Sequence, residues 1–251
     1  MKTYKAAVIG CSRMGGFIDH EVVDSNSIVP PYSHGAGYYA CDRTDLVACS
    51  DLREDVMEQF GLQYDVPKER QYTDYKELIA REQPDIVSVA TQPEHRAEIV
   101  IAAAAAGARA IYAEKAFSAS LAEADRMVEA CTQHGVALNM GTNRRFDPGY
   151  DQMKTVIDSG QIGTLQNLII HQTSALFNGA SHSFDLLQRL NSDAPVAWVQ
   201  AHLPNGDEVI DGDILREDPV GHGIIQFANG VTAYALNSGR GMEVEAICER
   251  G

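Results

Sequence analysis

The chain has 251 residues, of which 45% are hydrophobic, and it carries a formal net charge of -15. This length is sufficient for two domains with a substantial buried core, and the acidic balance excludes nucleic-acid binding, because phosphate binding depends on clustered Lys and Arg. Five scattered cysteines without CxxC spacing indicate neither a disulfide framework nor a zinc site. We therefore expect a cytoplasmic protein with no metal, no signal peptide and no membrane-spanning segment.

A glycine-rich turn follows the first predicted strand. The stretch from Lys5 to Gly16 reads KAAVIGCSRMGG, an apolar run that leads into glycines and then into a segment that can be helical. This order is typical of a dinucleotide-binding unit, in which Gly10 allows the tight turn and Gly15 allows the helix to pack on the sheet. Ser12 stands where the pattern has a second glycine, and an ordinary tight turn is the alternative interpretation. The predicted pyrophosphate contacts are Gly10, Ser12, Arg13, Met14 and Gly15.

The next segment, from Asp19 to Thr44, is longer than such a unit usually has, and we interpret it as an inserted loop. The second strand, residues 46–50, ends at Asp51, which follows Gly10 by 41 residues where about 20 is usual. Asp51 is the candidate acid for the adenosine ribose, and a solvated turn residue is the alternative. Because Arg13 or Arg53 could accept a 2'-phosphate, the expected cofactor is NAD, with NADP left open.

Strands and helices then alternate regularly. This alternation predicts right-handed crossovers and a parallel, doubly wound sheet, that is, a Rossmann-type α/β domain. A capping box of Ser120 and Glu123 opens one helix, Pro93 begins another, and Gly61 is expected to end a third. The predicted helices span residues 54–60, 75–81, 94–106 and 120–134, and the predicted strands span residues 86–90, 110–112 and 136–140.

The pattern changes after Asn143. Strand-like runs now dominate, and one hairpin is predicted to turn at Asn229-Gly230. We expect a dinucleotide-binding domain over residues 1–144 and an α+β substrate and oligomerisation domain over residues 145–251, with a largely antiparallel, open-faced sheet through which copies of the chain associate. The predicted strands are residues 165–173, 197–203, 223–227, 231–236 and 244–248, and the predicted helices are residues 148–157 and 183–190.

Several motifs in one order resemble the Gfo/Idh/MocA oxidoreductases, which are named for glucose-fructose oxidoreductase and inositol dehydrogenase. They are VIGCSRMG, VATQPEHR, AEKAFS, NRRFDPGY and HSFDLL, and they extend over essentially the whole chain. The resemblance implies a Rossmann domain followed by an open-faced sheet domain. It also implies a nicotinamide cofactor and hydride transfer between that cofactor and a hydroxyl or ketone of a sugar, inositol or glycoside.

The resemblance also implies roles for individual residues. Lys115, just past a strand end, would bond the reacting oxygen, His182 would act as general base, and Asp185 would orient His182 or hold a neighbouring hydroxyl. A surface lysine, a capping histidine and an ordinary first-turn acid are the alternatives. Lys115 and His182 are expected to converge on one cleft, and the other histidines, His34 among them, are unassigned except His95. The further implied residues are Thr91, His95, Glu114 and Arg53 for the cofactor, and Asn143, Arg144, Asn178 and His182 for the substrate.

The chain departs from the family pattern in three ways. Ala116 replaces the proline of Glu-Lys-Pro, so a cis peptide bond is not expected there, because such bonds are costly without proline. Asn178 replaces the aspartate that usually lies four residues before the histidine, and it cannot hold a negative charge. Family members are usually longer, which suggests a truncated chain. The second hypothesis is a non-catalytic sensor that binds the dinucleotide or a sugar. Lys115 and His182 favour the enzyme, because a sensor has no use for an acid/base pair, whereas Asn178 and the shorter chain favour the sensor.

Overall fold

The computed structural model describes residues 3–24, 30–204, 206–212 and 214–251. The chain divides into two compact units, Met1–Gly141 and Thr142–Gly251. This division lies three residues before the boundary expected between residues 144 and 145. Among the described residues, no helix combines the length and the apolar character needed to cross a bilayer.

A parallel sheet forms the centre of the first unit. Its strand order is β3-β2-β1-β4-β5-β6, and every neighbouring pair is parallel. Ala7 and Val8 of β1 and Val87 of β4 are fully buried, as expected where helices cover both faces of a sheet. The predicted Rossmann-type sheet is therefore confirmed. The strands are β1 (Tyr4–Ile9), β2 (Thr44–Ser50), β3 (Gln71–Tyr72), β4 (Ile86–Val89), β5 (Ala110–Ala113) and β6 (Ala137–Met140).

The helices of this unit begin and end mostly where the local sequence predicts. Ser120 caps α6 by accepting a hydrogen bond from the Glu123 amide at 3.2 Å, and Gly135 ends that helix with a φ of +66°. Asp74 caps α4 in the same way through the Lys76 amide. The α-helices are α1 (Asp19–Val22), α2 (His34–Ala40), α3 (Glu54–Gln63), α4 (Tyr75–Glu82), α5 (Pro93–Ala105) and α6 (Leu121–His134).

Two expectations for the helices and loops of this unit were wrong. Helix α3 does not end at Gly61 but continues to Gln63. A Cβ atom at Gly61 would lie 1.9 Å from Nε2 of Gln71, so this glycine serves close packing rather than helix termination. The expected loop from Asp19 to Thr44 contains helix α2, whose cap is the hydroxyl of Ser33; residues 25–29 of that loop lie outside the described residues.

The second unit is a mixed sheet with helices on one face. The sheet order is β13-β7-β12-β11-β8, antiparallel except for the parallel pair β12 and β7, which confirms the α+β prediction. Leu168 and Ile170 of β7 pack against Leu186 and Leu187 of α8, whereas every residue of the edge strand β8 is exposed. The elements are α7 (Pro148–Asp158), β7 (Leu165–Gln172), α8 (Ser181–Leu190), β8 (Val196–His202), α9 (Gly206–Val209), β9 (Ile210–Asp211), β10 (Ile214–Leu215), β11 (His222–Phe227), β12 (Thr232–Asn237) and β13 (Glu243–Cys248).

Candidate active site

At two positions of the turn after β1, only glycine fits. Gly10 has a φ of +92°, and a Cβ atom there would lie 2.7 Å from the carbonyl carbon of Ala90. A Cβ atom at Gly15 would lie 1.9 Å from the carbonyl oxygen of Gly10. Ser12, by contrast, is exposed with a φ of -73°, so its backbone does not require glycine. The turn is therefore a closely packed backbone cradle of the kind that holds a pyrophosphate.

Asp51 lies beside this cradle at the end of β2. Its Oδ2 accepts a hydrogen bond of 2.7 Å from the amide of Cys11, and its Oδ1 accepts one of 2.9 Å from the amide of Arg53. The two backbone amides fix the carboxylate in place, and each oxygen can still accept a further bond. The predicted position of Asp51 at the tip of the second strand is thus what the structure has, and its ribose contact stays a prediction.

The two candidate arginines for a 2'-phosphate are exposed and already bonded to acids. Arg13 donates from Nε to both carboxylate oxygens of Glu21, at 3.0 and 2.8 Å, and Arg53 donates to Asp55 at 2.8 Å. A 2'-phosphate would have to compete with these carboxylates. Met14 lies in the single wide helical turn between Arg13 and Phe17.

The carboxyl end of β4 carries the next pair of candidates. Thr91 follows the strand, with its hydroxyl 3.3 Å from the Gln92 carbonyl, and its amide lies 3.0 Å from a Cβ atom built at Gly10. His95 lies in the first turn of α5 and is exposed. Both residues therefore lie at the sheet edge where open α/β sheets bind ligands, the edge that also holds the glycine turn.

Glu114 and Lys115 follow β5 at the same edge. The peptide bond between Lys115 and Ala116 is cis, so the expectation of a trans bond without proline was wrong. Glu114 is buried, whereas Lys115 is half-buried. Burial raises the pKa of Glu114. The hydrogen bond from His34 and the nearby charges of Lys115 and Arg96 lower it by more than burial raises it, so the pKa lies below its usual value. Glu114 is accordingly a carboxylate at neutral pH.

Sequence reasoning missed His34. Its Nε2 lies 3.1 Å from Oε1 of Glu114, and its Nδ1 lies 2.8 Å from Oγ of Ser88. His34 and Glu114 are 80 residues apart, and no local motif links them. The pairing arises because α2 packs against β2 and β1, from where the side chain of His34 reaches Ser88 on β4 and Glu114 after β5.

In the second unit, His182 and Asp185 both lie within α8, which begins at Ser181, two residues earlier than expected. Their three-residue spacing therefore places them on one face of a helix. Asp185 also has a partner that the sequence did not reveal, because both of its oxygens accept hydrogen bonds of 2.9 Å from Nε of Arg145. This ion pair fixes Asp185 firmly, and the expected contact of Asp185 with His182 or substrate stays a prediction.

The remaining substrate candidates lie in loops of this unit. Asn178 is exposed in the turn before α8, and its backbone amide donates to Oδ2 of Asp218 at 2.7 Å. Asn143 directly precedes the short helical turn from Arg144 to Phe146, and Nε of Arg144 lies 2.7 Å from Sδ of Met242. Among the described residues, no group of three or more His, Cys, Asp and Glu side chains is arranged to hold a metal ion.

The fold and the glycine turn together define a Rossmann-type dinucleotide-binding protein. A family model described as "Oxidoreductase family, NAD-binding Rossmann fold" matches residues 4–142, and the chain belongs to this Gfo/Idh/MocA family. The resemblance inferred from the motifs is thus confirmed, as is the expected class of cofactor.

Known proteins agree with this assignment. The chain is 28% identical to a myo-inositol 2-dehydrogenase of Thermotoga maritima over 223 residues, which is 82% of this chain and 65% of that relative. The crystal structure of a myo-inositol 2-dehydrogenase from Lactobacillus plantarum is similar over 100% of this chain and 75% of its own, with 21% identity and a TM-score of 0.74. The structure of GenD2 from gentamicin A biosynthesis, in complex with NAD, is similar over 100% of this chain and 71% of its own, with 20% identity and a TM-score of 0.76. The chain thus spans about two thirds of the length of the curated relative, and the two solved structures establish the fold alone.

Proposed function

We propose that the chain is an NAD(P)-dependent oxidoreductase that transfers a hydride between the nicotinamide and a hydroxyl or ketone of a sugar, inositol or glycoside. The observation that carries the proposal is the arrangement along one edge of the parallel sheet. The glycine turn follows β1, Asp51 follows β2, and Glu114 with Lys115 follows β5. A dinucleotide laid along this edge would have its pyrophosphate at the glycines and its ribose at Asp51, with Lys115 left for the reacting end.

The turn fits a dinucleotide because a Cβ atom at Gly10 or Gly15 would clash with neighbouring backbone, so glycine at both positions gives the tight turn and close packing that a pyrophosphate site requires. Gly10, Ser12 and Gly15 would hold the pyrophosphate by backbone contact, Asp51 the ribose hydroxyls, and Thr91, His95 and Glu114 would lie towards the nicotinamide. When bound, the nicotinamide accepts the hydride from substrate carbon or returns it. NAD is the expected form, because Asp51 would repel a 2'-phosphate and both candidate arginines are bonded to carboxylates.

The protein's own groups would handle the proton and the charge on oxygen. His182 would take the proton from the substrate hydroxyl, since an imidazole titrates near working pH. Lys115 would donate to the same oxygen and stabilise the negative charge that develops as the hydride leaves carbon. In the reverse direction, Lys115 would polarise the ketone and His182 would return the proton. Asn143, Arg144 and Asn178 would position the substrate.

The substrate class rests on the curated relative, a myo-inositol 2-dehydrogenase that is 28% identical to this chain. A small, hydroxyl-rich molecule is therefore proposed for this chain as well. We also propose a cytoplasmic homo-oligomer that associates through the sheet of the second unit, because its edge strand β8 exposes Trp198 and Val199. Large exposed apolar side chains on one strand are typical of a surface that another chain covers.

The test is cofactor reduction, followed by nicotinamide absorbance, across a panel of inositols, aldoses, polyols and glycosides. With a turned-over substrate in hand, His182→Ala is expected to lower kcat by roughly a hundredfold or more, because a general base contributes at least that factor. The exposed His134, at the end of α6, provides the matched control, and His134→Ala is expected to keep the wild-type rate.

Two results would contradict the proposal. Near-normal turnover by His182→Ala would remove the assigned base. Tight NAD binding without turnover of any substrate, measured on the wild-type chain, would favour the sensor, a role for which the uncharged Asn178 is sufficient.

A further inference from the structure

A cluster of polar side chains is buried inside the first unit, and none of its members except Glu114 has a place in the proposed reaction. We call it the His34 cluster, and it consists of His34 and Tyr38 on α2, Ser88 on β4 and Glu114 after β5. Ser88 is fully buried, and the side chains of His34 and Glu114 are 5% and 7% exposed. Buried polar groups are costly unless they are bonded to one another, so such a cluster requires an explanation.

The hydrogen bonds of the cluster run in one direction. A carboxylate can only accept, so Nε2 of His34 carries the hydrogen that points at Glu114. Burial raises the pKa of Tyr38, which therefore keeps its proton and can donate to Ser88 at 2.8 Å. With the hydrogen on Nε2, Nδ1 of His34 can accept from the hydroxyl of Ser88, which lies 2.8 Å away. Every donor in the series Tyr38, Ser88, His34 thus has an acceptor, and the series ends at the charge of Glu114.

This arrangement of serine, histidine and acid resembles the triad of a hydrolase, but it cannot act as one. Ser88 lies within a central strand and is fully buried. Its hydroxyl is already hydrogen-bonded to both Tyr38 and His34. A nucleophile has to reach a substrate. The other end of the series is the carboxylate of Glu114, and this group adjoins the proposed site.

Glu114 is held from several sides. The ring of Tyr112 lies against His34 with centroids 4.8 Å apart, and Gly141 leaves so little space that a Cβ atom there would lie 2.6 Å from Oε1 of Glu114. The charged and titratable groups around the carboxylate are His34 from α2, Tyr112 from β5, Arg96 from α5 and Lys115 itself. Arg96 is in turn fixed by donating from Nη2 to the carbonyl of Thr91.

We propose that His34 and Glu114 form a positioning pair for Lys115: His34 holds the Glu114 carboxylate at the end of β5, and this fixed negative charge sets the place of the adjoining ammonium. The inference rests on the proposed function, because it gives Lys115 the task of bonding the reacting oxygen. In this proposal His34, Tyr38 and Ser88 do not contact the substrate. They affect the reaction only through the position and charge state of Glu114.

The first test uses three substitutions of His34. Gln places a donor near the position of Nε2, whereas Asn places one near Nδ1, and Leu places none. We expect His34→Leu and His34→Asn to lower kcat roughly tenfold to a hundredfold and to change the KM for NAD by less, because the proposed contacts with the pyrophosphate and the ribose are untouched. His34→Gln is expected to restore most of the loss. His134→Gln is the control at an exposed site.

The pH profile gives a second readout that a merely structural role would not change. His34 lowers the pKa of Glu114, so its removal raises that pKa. The carboxylate is then lost at a higher pH, and the acid limb of the kcat profile of His34→Leu is expected to shift upward. NMR titration of protein labelled with 13C at glutamate carboxyls, with Glu114 assigned by its absence in Glu114→Gln, should show the same upward shift without any turnover.

A third readout addresses Lys115 without requiring activity. Acetic anhydride reacts with the deprotonated amine, so Glu114→Gln, which removes the neighbouring anion, should raise the labelling rate of Lys115 several-fold relative to the exposed Lys68. If the wild-type chain turned over no substrate, the proposed function would fail while the titration and labelling could still support the positioning pair. If folded His34→Leu kept wild-type kcat, Glu114 titration and Lys115 labelling, the positioning pair would be refuted.

Discussion

Gly15→Ala is the sharpest test of the glycine turn. An added Cβ atom at Gly15 would lie 1.9 Å from the carbonyl oxygen and 2.9 Å from the carbonyl carbon of Gly10, with the side chain of Val8 at 3.7 Å. The obstacle is backbone, which cannot move aside as a flexible side chain can. The helical turn would have to move 1.1 Å from the strand end merely to reach 3.0 Å, the closest approach that real Cβ atoms show.

Overpacking of this kind costs about 1–3 kcal/mol of folding free energy. For a domain of this size, 1 kcal/mol lowers Tm by roughly 3–4 °C. The displaced turn would also misdirect the amides that would bond the pyrophosphate, so NAD affinity should fall at least about tenfold, which corresponds to 1.4 kcal/mol of binding free energy. Circular dichroism melting and calorimetric titration with NAD measure the two effects separately.

Gly37→Ala is the matched control. Gly37 lies inside α2 of the same unit, and a Cβ atom there would have no neighbour within 4 Å. The same substitution should therefore stabilise the chain by about 0.5–1 kcal/mol, since glycine is a poor helix former, and leave NAD affinity unchanged. Equal Tm and equal NAD affinity for Gly15→Ala and wild type would refute the assignment of the turn.

Two further predictions concern the ribose site and the second unit. Asp51→Asn should weaken NAD binding about tenfold, because a hydrogen bond to a charged acceptor is worth about 1.5–3 kcal/mol. It should also shift the ratio of NADP to NAD affinity towards NADP. A wild-type preference for NADP in the same titrations would show that Arg13 or Arg53 outweighs Asp51. Gly230 has a φ of +93° and open space around it, so Gly230→Ala should cost only the conformational term of about 1–2 kcal/mol. An unchanged unfolding midpoint in urea would contradict this reading of the hairpin.

The fold was largely predictable because its signals are local. The capping box at Ser120 and the glycine at 135 set both ends of α6 by hydrogen bonds and by one positive φ, and these depend only on neighbouring residues. Gly61 shows where such reasoning fails. The side chain of Gln71, ten residues further on, packs in the space that a side chain at position 61 would occupy. Nothing in the local pattern distinguishes a glycine that ends a helix from one that allows such close packing.

The candidate site was predictable in part for the same reason. Lys115 and Asp51 follow strand ends, which apolar runs reveal, whereas the partners that hold the site are distant in sequence. Arg145 meets Asp185 at a separation of 40 residues, and His34 meets Glu114 at 80. Unassigned histidines in a sequence can thus be members of buried polar clusters that only the packing of helices on strands reveals.

The long gap between Gly10 and Asp51 has a geometric explanation. Strands β1 and β2 pair in parallel with Ile9 opposite Ser50, and the amide of Gly10 donates to the carbonyl of Ser50 at 2.8 Å. This register places Asp51 beside Cys11 whatever the number of residues between the two strands, and the 2.7 Å bond from the Cys11 amide follows from it. An insertion after the helical turn lengthens the connection at little cost in closure entropy, which grows only slowly with loop length. Sheet register, rather than sequence spacing, therefore determines which acid lies beside the glycine turn.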